Sequence, residues 1–111
     1  MIMKYDVYQY QVDEASYSSI EEYLSTLMMA TKETIMNASK HYKKVATIEA
    51  PSLEKVFDIG NLGLEEDSLL AEHITMHSKM RSVSVGDIIV DQVGDAKYVA
   101  PIGFEEIPFK P

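Results

Sequence analysis

A chain of 111 residues, 46% hydrophobic and 25% charged, has the size and make-up of one folded domain, far from the composition of disordered chains. Eighteen acidic against ten basic residues give a formal net charge of -8, which repels phosphate backbones and argues against direct nucleic-acid binding. No cysteine is present, which excludes disulfides, thiolate metal sites and a cysteine nucleophile; no signal-peptide core opens the chain and no apolar run reaches about eighteen residues, so a cytoplasmic protein without membrane contact is expected.

Met3 to Val12 is dense in Tyr and Val, with Tyr5 and Val7 on one face and Tyr8, Tyr10 and Val12 on the other. That is the pattern of a strand covered at least partly on both sides. Ser18 or Ser19 can cap a helix whose first turn carries Glu21 and Glu22 near the positive dipole end. The helix is expected from about Ser19 to about Lys40, with Ile20, Tyr23, Leu24, Leu27, Met28, Ile35 and Ala38 at three- and four-residue steps. The stripe lapses between Thr31 and Thr34, where there is room for a break.

Tyr42 to Ala50 reads as a strand in which Val45 and Thr47 oppose Ala46 and Ile48, ended by Pro51. Ser52 then caps a short helix that buries Leu53, Val56 and Phe57 and closes near Gly60. Asn61 to Lys79 reads as an exposed connection with about one helical turn. From Arg81 the chain becomes a meander: Arg81 to Val85, a Gly86-Asp87 turn, Ile88 to Asp91, a Gly94-Asp95 turn, Lys97 to Ala100, and Phe104 to Ile107. Gly94 and Gly103 suit positive φ.

Residues 1 to 111 are thus expected to form a single two-layer α+β domain, a mostly antiparallel sheet of about five strands packed on one long and one short helix. The expected core is Val7, Leu24, Leu27, Ile35, Val45, Ile48, Leu53, Val56, Phe57, Val85, Ile88, Val90, Val99 and Phe104.

The run RSVSVGDIIV, Arg81 to Val90, followed after a short turn by KYVAPIGFEEI, Lys97 to Ile107, resembles the YodL-like domain and related small proteins of phages and other mobile elements. SLEKVFDIGNLG, Ser52 to Gly63, is similar to an element that such proteins place upstream. The likeness spans Ser52 to Ile107 and leaves residues 1 to 50 without a placed motif. It implies a phage or mobile-element setting and imports no activity, since kinship of fold does not settle function.

Arg81, Ser82, Ser84 and Asp87 form the polar cluster best suited to a phosphate or carboxylate ligand. A nucleophilic serine would need a base and an oxyanion hole, and neither serine sits in a nucleophile elbow. The simpler reading turns Val83 and Val85 inward and Ser82 and Ser84 outward, and pairs Arg81 with an acid across the sheet. Asn61, next to Gly60, reads as a helix C-cap and joins the candidate binding set.

His73 and His77 would share a helix face at metal-ligand spacing, with Glu72 and Asp67 near, but the glutamate of a zinc-protease helix is missing. No metal or cofactor is expected. His41, Lys43 and Lys44 form the one basic stretch, and with no glycine-rich loop beside them they read as a solvated strand or helix end.

No catalytic machinery is recognisable, which leaves three readings in order. The first is a non-enzymatic accessory protein that binds another protein, a host factor or its own copy, marked by exposed Tyr8, Tyr10 or Tyr17 and Met side chains. The second is an acidic, nucleic-acid-mimicking inhibitor of a host enzyme, marked by rows of carboxylates. The third is a small ligand-binding domain or enzyme with a pocket where Arg81, Asp87 or a histidine converge.

Overall fold

The computed structural model describes residues 2–11, 31–64 and 69–111. These residues form six strands and two helices: β1 (Met3–Tyr10), α1 (Lys32–Asn37), β2 (Tyr42–Ala50), α2 (Leu53–Leu62), β3 (Ile74–Met76), β4 (Ile88–Val90), β5 (Ala96–Val99) and β6 (Phe104–Glu106). The strands form one sheet in the order β3-β2-β1-β4-β5-β6, and every pairing is antiparallel. The α+β class holds, with six strands in place of about five. Among the described residues no helix is long and apolar enough to cross a membrane.

The expected helix from Ser19 to Lys40 is not continuous through Thr31. There the backbone is extended, and the Thr31 hydroxyl accepts from Thr34 N–H while Thr34 Oγ1 accepts from Thr31 N–H. This reciprocal cap starts α1 where the apolar stripe lapses. The six-residue α1 then gives way to a tight turn at Ser39–His41. The expected part from Ser19 to Ala30, with Leu24 and Leu27, lies outside the described residues, as do Val12, Tyr17 and Asp67.

Strand β2 has the expected bounds but not the expected faces. The register runs Val7 to Ala46 and then Tyr8 to Lys44, so Val45 is an extra residue in a β-bulge. The bulge sends Val45 to the same core as Ala46 and Ile48 instead of opposing them.

Cross-strand partners share a face, and the register assigns two cores. Tyr5, Val7, Ala46, Ile48, Ile89 and Val99 face α2, where Val56 and Ile59 cover them together with Val83 from the segment before β4. Tyr8, Ile88, Val90, Ala96 and Tyr98 face the other way, against Ile35 of α1 and against Ile107 and Phe109 of the final segment. The sheet is therefore a middle layer, not one of two. That placement buries Tyr8 and Tyr10, which were expected to be exposed. Tyr8 meets Phe109 edge-on at 5.1 Å, and Tyr10 meets Tyr42 edge-on at 5.9 Å.

Core expectations are corrected at four positions. Phe57 is 37% exposed, because α2 turns Val56, Ile59 and Gly60 inward and leaves the position after Val56 on the flank. Leu53, Val85 and Phe104 pack only at the rim of the core.

Candidate functional site

The candidate residues converge where the segment from Arg81 to Asp87 crosses the end of β1. Gln9 continues the face that carries Tyr5 and Val7, so its amide points into the α2-side interior, where it is 1% exposed. Gln9 Oε1 accepts the Arg81 N–H at 2.9 Å, and Gln9 Nε2 donates to Arg81 C=O at 2.9 Å and to Asp87 Oδ2 at 3.0 Å. A buried amide must find partners. Here it finds them in the segment it holds down.

Asp87 closes the turn that follows. Its N–H donates to Ser84 C=O at 3.0 Å, and its Oδ2 accepts from Ser84 N–H at 3.0 Å. Gly86, with φ 96°, supplies the left-handed third position of this turn. Gly86 N–H donates to Val99 C=O at 2.8 Å and Val99 N–H to Asp87 C=O at 2.9 Å, which carries the β4–β5 pairing into the turn. The Tyr42 hydroxyl donates to Gly86 C=O at 2.6 Å.

Burial is the main influence on Asp87, and it pushes the carboxyl up to about 6 against the opposing effects of the Ser84 N–H, the Gln9 amide and the nearby Arg81 charge. The Tyr42 hydroxyl is also raised, by burial first and then by the Asp87 charge.

Arg81 does what its chain position allows: Nη2 donates to Tyr10 C=O at 2.8 Å, so its guanidinium reaches across to β1. Val83 is buried while Ser82 and Ser84 are exposed, as the alternation suggests. The segment is nonetheless not the expected strand. Its hydrogen bonds go to Gln9, to Asp87 and to α2 instead of to a ladder neighbour.

Asn61 is not a C-cap, because α2 runs on to Leu62 and is capped by Gly63. From inside the helix its Nδ2 donates to Phe57 C=O at 2.7 Å and to Val83 C=O at 3.0 Å. Gly60 permits this approach, since a Cβ there would sit 2.3 Å from Val83 Cγ2. Arg81, Ser84, Asp87 and Asn61 thus belong to one network whose polar atoms are aimed at each other and at main chain. Its hub, Gln9, escaped the sequence reading. The available signal was a polar residue at a core-facing position of an otherwise apolar strand face.

His73 and His77 do not share a helix. His73 ends the short turn Leu69–His73 and His77 follows β3. His77 Nε2 contacts Thr47 Oγ1 at 2.8 Å, and Thr47 Oγ1 donates to Asp6 Oδ1 at 2.7 Å. No metal-holding cluster of His, Asp or Glu occurs among the described residues. Lys43 and Lys44 are exposed on β2, and Lys44 lies 3.9 Å from Asp6.

Clefts lined by described residues lie elsewhere. One of about 440 Å³ runs between Lys32, Gly94, Glu106 and Phe109, and one of about 290 Å³ lies at the start of α2 between Tyr5, Ser52, Glu54, Asp91 and Lys97. Comparison with protein families, with curated proteins and with solved structures finds no match.

Proposed function

We propose that the chain is a non-enzymatic accessory protein that binds another protein through the β3 end of its sheet. The observation that carries this reading is the set of apolar side chains left in water there: Leu62 is 50% exposed, Leu69 88% and Met76 55%. They come from α2, the turn Leu69–His73 and β3, consecutive elements packed on one another, with Ile74 Cδ1 lying under Gly63. Grouped apolar exposure on a small domain marks a contact surface more often than scattered exposure does. The likeness of Ser52 to Ile107 to small phage and mobile-element proteins supports an accessory role in that setting.

The other readings rank lower for stated reasons. Glu105 and Glu106 alternate along β6 and so point to opposite faces, and Asp91 folds back onto the N–H groups of Val93 and Asp95; neither forms a row that imitates phosphates. Asp87 Oδ2 is already engaged by Gln9 and Ser84, which weakens a ligand pocket at Arg81 and Asp87.

The test is site-specific photo-crosslinking. A photoreactive residue replacing Leu69 is expected to give a discrete adduct in cells that express the protein, and one replacing the exposed Val93 is expected to give none. Equal labelling at the two positions, or none at either, would remove the reading.

A further inference from the structure

We propose that the partner at this end is a second copy of the chain, paired β3 to β3, antiparallel, about a two-fold axis at Thr75. The inference rests on the contact surface just described and names its occupant.

The two outermost described strands, β3 and β6, differ in protection. β6 carries Glu105 and Glu106 and is flanked by Pro101 and Pro108, the charges and prolines that keep strand edges from pairing. β3 reads Ile74, Thr75, Met76, with no charge and no proline.

The backbone of β3 is also turned for pairing. His77 N–H donates to Val45 C=O at 2.9 Å. Hydrogen-bonded and non-bonded pairs alternate along an antiparallel ladder. In the register that sets Met76 against Ala46 and Ile74 against Ile48, the main-chain groups of Thr75 therefore point to β2 and those of Ile74 and Met76 point outward.

Two such edges complement each other. With Thr75 on the axis, Ile74 of each copy meets Met76 of the other, and the outward N–H and C=O groups of both residues find partners. Ile74 and Met76 lie on the face covered by α2, so the pairing also joins the two groups of exposed apolar side chains. The charges agree with this. Between Leu69 and Met80 the chain has one acid, Glu72, and one base, Lys79, so the edge is locally neutral although the whole chain carries -8. Such a closed, self-complementary contact is what a two-fold dimer requires.

The chain has no cysteine, so a single engineered thiol reports the contact cleanly. Across a non-hydrogen-bonded pair on the axis, Cα atoms come within about 4.5 Å, inside disulfide range. Thr75→Cys is expected to give a disulfide dimer under mild oxidation, and Val93→Cys is not. In sedimentation equilibrium the unmodified protein is expected to approach twice the mass of one chain as concentration rises. Met76→Pro removes an outward donor that no hydrogen bond among the described residues uses and Met76→Lys charges the edge, so both are expected to stay at single-chain mass with an unchanged circular-dichroism melt. A single-chain mass up to about 1 mM, or a dimer that Met76→Pro leaves intact, would overturn the inference. A single-chain protein that still captures a different protein at Leu69 would overturn it too while leaving the proposed function standing.

Discussion

Gln9 and Arg81 stand 72 positions apart, yet the Gln9 side-chain amide binds the Arg81 peptide unit as a neighbouring strand would, taking its N–H and giving to its C=O, both at 2.9 Å. One side chain does here what a ladder does elsewhere, and it does so inside the protein, where each bond is costly to lose. Gln9→Leu keeps the volume and strips the bonds. It is expected to destabilise the fold by about 2 to 4 kcal/mol in urea unfolding, with the loss smaller in a Gln9→Leu, Asp87→Asn double variant because one stranded charge is then removed.

Asp87 makes stability depend on pH. Its carboxyl is raised from 3.8 to about 6 in the folded chain, so the folded state holds this proton more tightly than the unfolded state. The contribution is full below about pH 4 and is lost as pH rises through about 6. Asp87→Asn carries no such slope. Unfolding free energies of the two proteins, compared between about pH 4 and pH 7, are expected to diverge by on the order of 2 to 3 kcal/mol, with the wild type losing ground toward neutral pH. Parallel curves would show that Asp87 titrates alike in both states.

Alanine at either of two glycines is expected to destabilise the fold, for different reasons and to different degrees. At Gly60 the new Cβ would lie 2.3 Å from Val83 Cγ2, so α2 or the segment before β4 must shift, at a cost of about 1 to 3 kcal/mol. At Gly94 nothing lies within 4 Å, but φ is +92°, and the cost is about 1 kcal/mol of backbone strain. Val83→Ala should relieve much of the first penalty and none of the second, which thermal melts of the two double variants would resolve.

Helix α2 offers a local check. The Ser52 hydroxyl accepts from Lys55 N–H at 3.4 Å, and Ser52→Ala is expected to cost about 1 kcal/mol or less, measured by urea unfolding.

The parts of this fold that were legible in the sequence are those set by neighbouring residues. Pro51 and Ser52 mark the end of β2 and the start of α2, and the positive φ at Gly94 and Gly103 follows from the turns they occupy. The parts that were not legible depend on distant partners. Ser82-Val83-Ser84-Val85 alternates like a strand, but its main chain is claimed by Gln9, Asn61 and Asp87. The bulge at Val45 leaves the spacing of apolar residues almost unchanged, so the reversal of face cannot be seen without the β1 register. Strand β3, at three residues, is too short for any period to show. Of the candidate set Arg81, Ser82, Ser84, Asp87 and Asn61, the contact of Asn61 with the segment after Arg81 runs through Val83 C=O, and the connecting residue, Gln9, sits in a strand whose Tyr and Val positions dominate its pattern.

The position of β1 has a consequence for how the molecule comes to exist. The first strand of the chain lies inside the sheet, with β2 on one side and β4 on the other, and its second neighbour begins only at Ile88. During synthesis, β1 leaves the ribosome long before that neighbour, and until then it exposes one row of unpaired main-chain groups together with the Gln9 amide. A nascent chain halted before β4 therefore carries the tyrosine-rich strand as an open edge. Folding waits for the last quarter of the sequence, as expected of a topology dominated by contacts between distant segments.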